Sequence, residues 1–331
     1  MQMAYAVALM MTVSCASSVM LREIEKKGET MMRTVKQITR VICIIVLALW
    51  VSPVEAAATR VFVSIAPQKY FVQKIGGDLV SVAVLVPAGA DPHTYEPKPK
   101  QMAELSKCAV YFAMGIDFEK AWLPRIAGTN PKMRIVHTDE GIKKIIMTDH
   151  PRDKKSRHGY TGTGHHHHEG TQDPHVWLSP ALVKIQAEHI LHALIDIDPN
   201  NQTRYKNNYS AFLEEIDMLD AELKNLFAGR KGDRFMVFHP SWGYFAKEYE
   251  LEQVPIEIEG KAPKPAQLTT LIRHARERGI RVVFVQPQFS AKSAEMISRE
   301  IGGHVVHVDP LAENWAGNLR EVARKFITAV R

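Results

Sequence analysis

Short apolar runs alternate with longer amphipathic stretches along most of the chain, and this alternation restricts the fold more than any other feature of the sequence. The apolar runs predict β-strands, and the stretches between them have the spacing of helices. Strand candidates cover 60–65, 80–86, 109–113 and 133–136, then 235–238, 254–258, 282–285 and 305–308, with helix candidates at 67–76, 98–107, 117–127, 241–249, 265–277, 290–301 and 315–329. This order predicts an α/β fold with parallel sheets.

Two helical patterns separate the halves of this series. The first covers 180–195, and the second starts at Asp198-Pro199, with Asp198 as the expected N-cap, and continues to Gly229. A helix of about 30 residues spans about 45 Å, which is more than one small lobe requires. We therefore expect two Rossmann-like α/β lobes, 59–197 and 230–331, joined by a long rigid helix over 198–229.

The first 58 residues resemble an export leader. Positive residues after Met31 precede an apolar run over 41–51, and small residues follow at 56–58. The run is too short for a membrane span of about 20 residues. We expect 1–58 to be removed, with the true start at Met31 or Met32; a longer leader or anchor, or lipidation at Cys15, is the alternative.

Charge and cysteine content argue against nucleic-acid binding and against stabilisation by disulfides. The 42 basic and 36 acidic residues give a net charge of only +6, without a basic stripe interleaved with aromatics, so nucleic-acid binding is not indicated. Of the three cysteines, Cys15 and Cys43 fall in the leader. An exported chain left with Cys108 alone forms no internal disulfide and depends on its core for stability.

Three histidines follow apolar runs or precede a helix, and each is next to a proline. They are His93 and His175, both in Asp-Pro-His, and His239 in His-Pro. A proline-stiffened loop holds an imidazole still, as a metal ligand requires. Ligands bind at the carboxyl ends of parallel strands, so we expect these residues and Asp309, which follows the last strand, to meet in the cleft between the lobes.

A histidine tract interrupts the first lobe within the loop 147–172. It comprises His165, His166, His167 and His168 and is flanked by glycines. Several imidazoles on a flexible tether can capture metal loosely and raise its concentration near a main site. A solvated insert without a role in metal capture is the alternative.

Four motifs resemble those of a known family. Asp-Pro-His-Thr-Tyr-Glu-Pro-Lys-Pro (91–99), Asp-Pro-His-Val-Trp-Leu-Ser-Pro (173–180), Phe-His-Pro-Ser-Trp-Gly-Tyr-Phe (238–245) and Val-Asp-Pro-Leu (308–311) are similar to motifs of the solute-binding proteins of metal-ion ABC transporters, most closely the zinc-uptake branch. The resemblance covers 59–331. It implies a monomeric periplasmic receptor that delivers a divalent metal ion to an ABC permease and its ATPase, and that contacts the membrane only through the permease or an anchor.

The resemblance also implies the ligands. His93, His175 and His239 match the family's three histidines, and Asp309 matches a position where some members supply a carboxylate; an aspartate before proline can instead only organise a turn. Glu96 is a candidate partner for a ligand imidazole. Three nitrogens and at most one carboxylate favour Zn²⁺ over Mn²⁺, which prefers more oxygen. A manganese- or iron-binding protein of the same transporter class is the alternative.

Two other classes stay open at this point. A secreted zinc hydrolase would also hold its metal with three protein ligands, but the chain has no His-Glu-x-x-His pattern. A surface adhesin on the same scaffold is the other. We expect a binding protein rather than an enzyme.

Overall fold

The computed structural model describes residues 31–33, 36–40, 58–147, 171–258 and 261–330. The chain divides into two units, Met1–Ala56 and Ala57–Arg331. The described residues of the first unit are helical, and most of the predicted leader lies outside the described residues. None of the helices in the described part of the chain is long and apolar enough to cross a bilayer.

The second unit contains two four-stranded parallel sheets. The first has the order β2-β1-β3-β4, with β1 at Thr59–Val63, β2 at Val80–Val84, β3 at Val110–Ala113 and β4 at Arg134–His137. The second has the order β6-β5-β7-β8, with β5 at Arg234–Val237, β6 at Glu252–Pro255, β7 at Val282–Val285 and β8 at His304–His307. In both sheets the order reverses beside the first strand, which opens a crevice at the carboxyl ends.

Nine named helices connect these strands within the described residues. They are α1 (Ala66–Gly76), α2 (Pro99–Leu105), α3 (Asp117–Thr129), α4 (Pro180–Ile197), α5 (Gln202–Leu226), α6 (Gly243–Glu248), α7 (Pro265–Glu277), α8 (Lys292–Ile301) and α9 (Trp315–Val330). The predicted α/β fold with two Rossmann-like lobes is confirmed.

The long helix between the lobes is α5. Its 25 residues span about 38 Å, and a short 3₁₀ helix, Pro199–Asn201, precedes it. We expected Asp198 to cap this helix, but its side chain makes no capping hydrogen bond. Its carboxylate instead accepts hydrogen bonds from the side chains of Asn201 (2.7 Å) and Tyr205 (2.9 Å), which tie the start of α5 to the end of α4.

Buried tryptophans join the two lobes directly. The indole of Trp177 donates to the carbonyl of Pro310 at 2.7 Å, and the indole of Trp315 donates to the carbonyl of Trp177 at 2.6 Å. The Trp315 ring also packs edge-on against Phe71 of α1, with ring centroids 5.2 Å apart. A wide opening of the cleft would break these buried contacts, so the fold favours a nearly fixed arrangement of the lobes.

Candidate metal centre

Three imidazoles converge between the lobes. His93 lies in the loop after β2, His175 directly precedes the 3₁₀ helix Val176–Leu178, and His239 lies two residues after β5. One nitrogen from each ring falls in a group whose members are all within 4.8 Å of one another. The ring centroids are 4.6 Å apart for His93 and His239, 5.1 Å for His175 and His239, and 5.5 Å for His93 and His175.

Each of these imidazoles pairs its Nδ1 atom with a carboxylate. The pairs are His93 with Asp117 (2.9 Å), His175 with Asp173 (2.7 Å) and His239 with Glu257 (2.8 Å). A carboxylate that accepts the Nδ1 proton leaves the Nε2 lone pair free for a metal and fixes the ring's orientation. The Nε2 atoms of His175 and His239 lie 3.3 Å apart, and Nε2 of His93 is buried without a partner among the described residues.

The two Asp-Pro-His segments fold alike. The carboxylate of Asp91 accepts the backbone N–H of His93 at 2.9 Å, and that of Asp173 accepts the backbone N–H of His175 at 2.9 Å. An aspartate bonded to the backbone two residues further on forms a compact turn, and the intervening proline limits its backbone freedom. The motif therefore holds the histidine in place.

The third histidine is held by side chains from a neighbouring strand end. Oε1 of Gln286 accepts the backbone N–H of His239 at 3.0 Å, and Nε2 of Gln286 donates to the His239 carbonyl at 2.8 Å. The ring of Phe289 stacks on the imidazole, with centroids 5.1 Å apart. These contacts leave the imidazole little freedom to rotate.

Burial acts to lower the pKa values of His93 and His175, and the nearby carboxylates act to raise them. Burial lowers the pKa of His175 to about 4, although Asp173 opposes this shift. Burial also acts to lower the pKa of His93, but the hydrogen bond to Asp117 and the nearby carboxylates outweigh it and raise that pKa above its ordinary value. His175 is therefore neutral at pH 7, while His93 is the more readily protonated of the two.

Asp117 is a site residue that the sequence did not single out. It starts α3, directly after the turn that follows β3. That turn is held by the buried carboxylate of Glu119, which accepts backbone N–H groups of Met114 (3.1 Å), Gly115 (2.7 Å) and Ile116 (3.2 Å). Burial raises the pKa of Glu119 to about 7.

A short ladder closes the chain on either side of residues 148–170. The N–H of Met147 donates to the carbonyl of Thr171, and the N–H of Asp173 donates to the carbonyl of Ile145, both at 2.8 Å. Tyr244 of α6 joins this ladder to the other lobe: its hydroxyl accepts the N–H of Ile145 at 3.1 Å and donates to the carbonyl of Asp173 at 2.9 Å. His165, His166, His167 and His168 lie outside the described residues.

The structure does not bring Asp309 into the group of ligand atoms found among the described residues. Its Oδ1 atom accepts the backbone N–H of Leu311 at 2.9 Å and the Gln288 side chain at 3.0 Å, so the carboxylate organises the Asp-Pro-Leu turn. Glu96 is exposed, and the carboxylate on Nδ1 of His93 belongs to Asp117 instead.

The chain is similar to known proteins of metal uptake. The family described as zinc-uptake complex component A, periplasmic, matches residues 61–329. A crystal structure of ZnuA superposes with a TM-score of 0.75 at 43% identity, covering 83% of this chain and 100% of that chain. The high-affinity zinc uptake system protein ZnuA of Bacillus subtilis is 28% identical over 238 residues, 71% of this chain and 73% of that protein.

The zinc-binding lipoprotein AdcA of Streptococcus pneumoniae is 27% identical over 247 residues, which is 74% of this chain. The match covers 48% of AdcA, so the chain spans about half the length of that relative. Because the family matches nearly the whole second unit, the chain belongs to the zinc-uptake component A family of solute-binding proteins. This family is a binding component of metal uptake, not an enzyme family.

Proposed function

We propose that this protein captures a zinc ion between its lobes through the Nε2 atoms of His93, His175 and His239, and delivers it to an ABC-type permease and its ATPase. The observation that carries the proposal is the pairing of every Nδ1 atom with a carboxylate, which leaves three nitrogens facing one point. Neutral imidazole nitrogen is a preferred zinc ligand, and manganese favours more oxygen.

Capture and release in this proposal involve no bond chemistry. Zinc displaces protons from the imidazoles that carry them, and the carboxylates keep the rings aimed at the ion. The buried tryptophan bonds between the lobes limit hinge motion, so release depends on modest shifts of the loops that carry His93 and His239. A large change in radius of gyration by X-ray scattering on zinc addition would contradict this description.

We further propose the domain organisation and the location of the protein. Residues 1–58 act as an export leader, 59–197 and 230–331 form the lobes, and 198–229 joins them. The mature protein works as a periplasmic monomer, free or tethered by a lipid anchor. The tract His165–His168 supplies loose capture near the cleft, so a variant lacking 158–170 should keep tight binding but acquire zinc poorly under scarcity.

The decisive test is zinc titration against a competing chelator, with metal content measured after purification. His239→Ala should weaken zinc binding by more than about 100-fold, because even outer partners of metal ligands contribute 10- to 100-fold. His192→Ala, at an exposed position on α4, is the matched control and should bind like wild type. Tight zinc binding by His239→Ala would refute the three-imidazole site.

A further inference from the structure

Gln288 and Asp309 lie beyond the carboxyl ends of two neighbouring strands of the second sheet. Strands β7 and β8 are parallel neighbours, with Val285 in register with His307. Gln288 lies three residues beyond Val285, and Asp309 lies two residues beyond His307. The side-chain amide of Gln288 donates from Nε2 to Oδ1 of Asp309 at 3.0 Å.

This contact fixes both ends of the amide. A carboxylate only accepts hydrogen bonds, so the nitrogen of Gln288 must face Asp309 and the oxygen must face the other way. That oxygen, Oε1, is buried and has no partner among the described residues. Gln288 lines the same cavity as His93, His175 and His239.

Asp309 is correspondingly withheld from the cavity. Its Oδ1 atom is shared by the Gln288 amide and the N–H of Leu311, and its own carbonyl accepts the Asn318 side chain at 2.8 Å. Among the residues that line the cavity with the imidazoles, Gln288 is present and Asp309 is not. The side-chain oxygen that the ends of β7 and β8 present to the cavity is therefore that of a neutral amide.

We propose that Gln288 sets the metal preference of the site by keeping its fourth coordination position free of charged oxygen. The inference rests on the proposed function. With Asp309 held in its turn, an ion meets three imidazole nitrogens, and the amide oxygen can accept a hydrogen bond from a water on the ion. This set suits zinc; a released Asp309 would add a charged oxygen, and manganese would gain more from it than zinc because manganese prefers oxygen and higher coordination.

The test compares zinc and manganese affinities of purified wild type and Gln288→Met. The substitution keeps the side-chain length and removes the donor to Asp309. We expect the ratio of the manganese Kd to the zinc Kd to fall by about tenfold, the lower end of the range for partners that orient metal ligands. Gln288→Glu, which repels Asp309 instead of binding it, should lower the ratio in the same direction. Gln73→Met, at an exposed position of α1, should leave the ratio unchanged.

The double variant Gln288→Met, Asp309→Asn tests whether Gln288 acts on the metal preference through Asp309. If Asp309 is the group that Gln288 withholds, the double variant should regain the wild-type ratio. The visible spectrum of bound cobalt(II), which reports coordination number, should change in Gln288→Met and revert in the double variant. An unchanged ratio in Gln288→Met, or a lowered ratio that persists in the double variant, would overturn the inference. Failure of wild type itself to bind zinc would refute the proposed function instead.

Discussion

The three carboxylate–imidazole pairs differ in exposure, and this difference predicts unequal effects of neutralising them. The side chain of Asp173 is 2% exposed, whereas that of Asp117 is 36% exposed. Asparagine keeps an oxygen that can accept the Nδ1 proton but removes the charge. Solvent screens a charge at Asp117 far more than one at Asp173, so the buried charge contributes more to the basicity of its imidazole.

The expected magnitudes follow from this contrast. Loss of an outer carboxylate typically weakens metal binding by 10- to 100-fold. We expect Asp173→Asn to lie near the upper limit, about 2.7 kcal/mol, and Asp117→Asn near the lower limit, about 1.4 kcal/mol. The apo forms should unfold normally, because His175 is already neutral at pH 7 and keeps its hydrogen bond to the asparagine oxygen.

The assay is competitive zinc titration with a chromogenic chelator, together with thermal unfolding of the metal-free proteins. Asp196→Asn is the control, since it removes a carboxylate from the exposed pair with Arg134, far in sequence from the site residues. If Asp117→Asn weakens binding as much as Asp173→Asn, burial does not set the strength of these pairs. If neither changes zinc affinity, the carboxylates do not support the ligands.

Other predictions concern protons and close packing. Zinc affinity should fall as pH drops from about 7.5 to about 6, because the raised pKa of His93 lets protons compete there; a flat profile would contradict this. Glu119 binds its proton more tightly when folded, with a pKa of about 7 against 4.5, so its own contribution to stability should be greatest below about pH 4.5 and decline by on the order of 3 kcal/mol up to pH 7. The free energy of unfolding of Glu119→Gln, measured in urea at several pH values, should lack this decline. The same dependence on pH in the variant and the wild type would refute this assignment to Glu119. Gly243→Ala places a methyl group 2.7 Å from Oδ2 of Asp173 and should weaken zinc binding by about tenfold, whereas Gly128→Ala meets open space and should not.

The sequence predicted the fold well because the local and global signals agree. Every strand candidate became a strand within a few residues, and parallel pairing follows from helices placed between strands. The exception at Asp198 is instructive. An aspartate before proline is a good N-cap by type, but Asn201 and Tyr205 supply side-chain donors that the pattern does not reveal.

Site residues outside the proline motifs were harder to find. Asp117 has no flanking proline and falls at a predicted helix start, where an acidic residue is ordinary. Glu257 could have been found from register: Val237 pairs with Pro255, so His239 and Glu257 lie the same distance beyond their strands. Asp309 was placed at the correct strand end, but its bond to Gln288 depends on side-chain direction, which spacing does not encode.

The ladder formed by Ile145–Met147 and Thr171–Asp173 makes the geometry of the site independent of the length of the segment that it closes. Because the hydroxyl of Tyr244 bonds to both Ile145 and Asp173, it anchors the rung next to His175 to the opposite lobe, and the backbone that aims His175 is fixed whatever connects the two ends. Lengthening a closed loop adds only about 0.6 kcal/mol for each doubling. The connection between Met147 and Thr171 is therefore suited to the insertion of another domain. A fluorescent protein inserted there would serve as a reporter without changing the receptor's affinity for its ion.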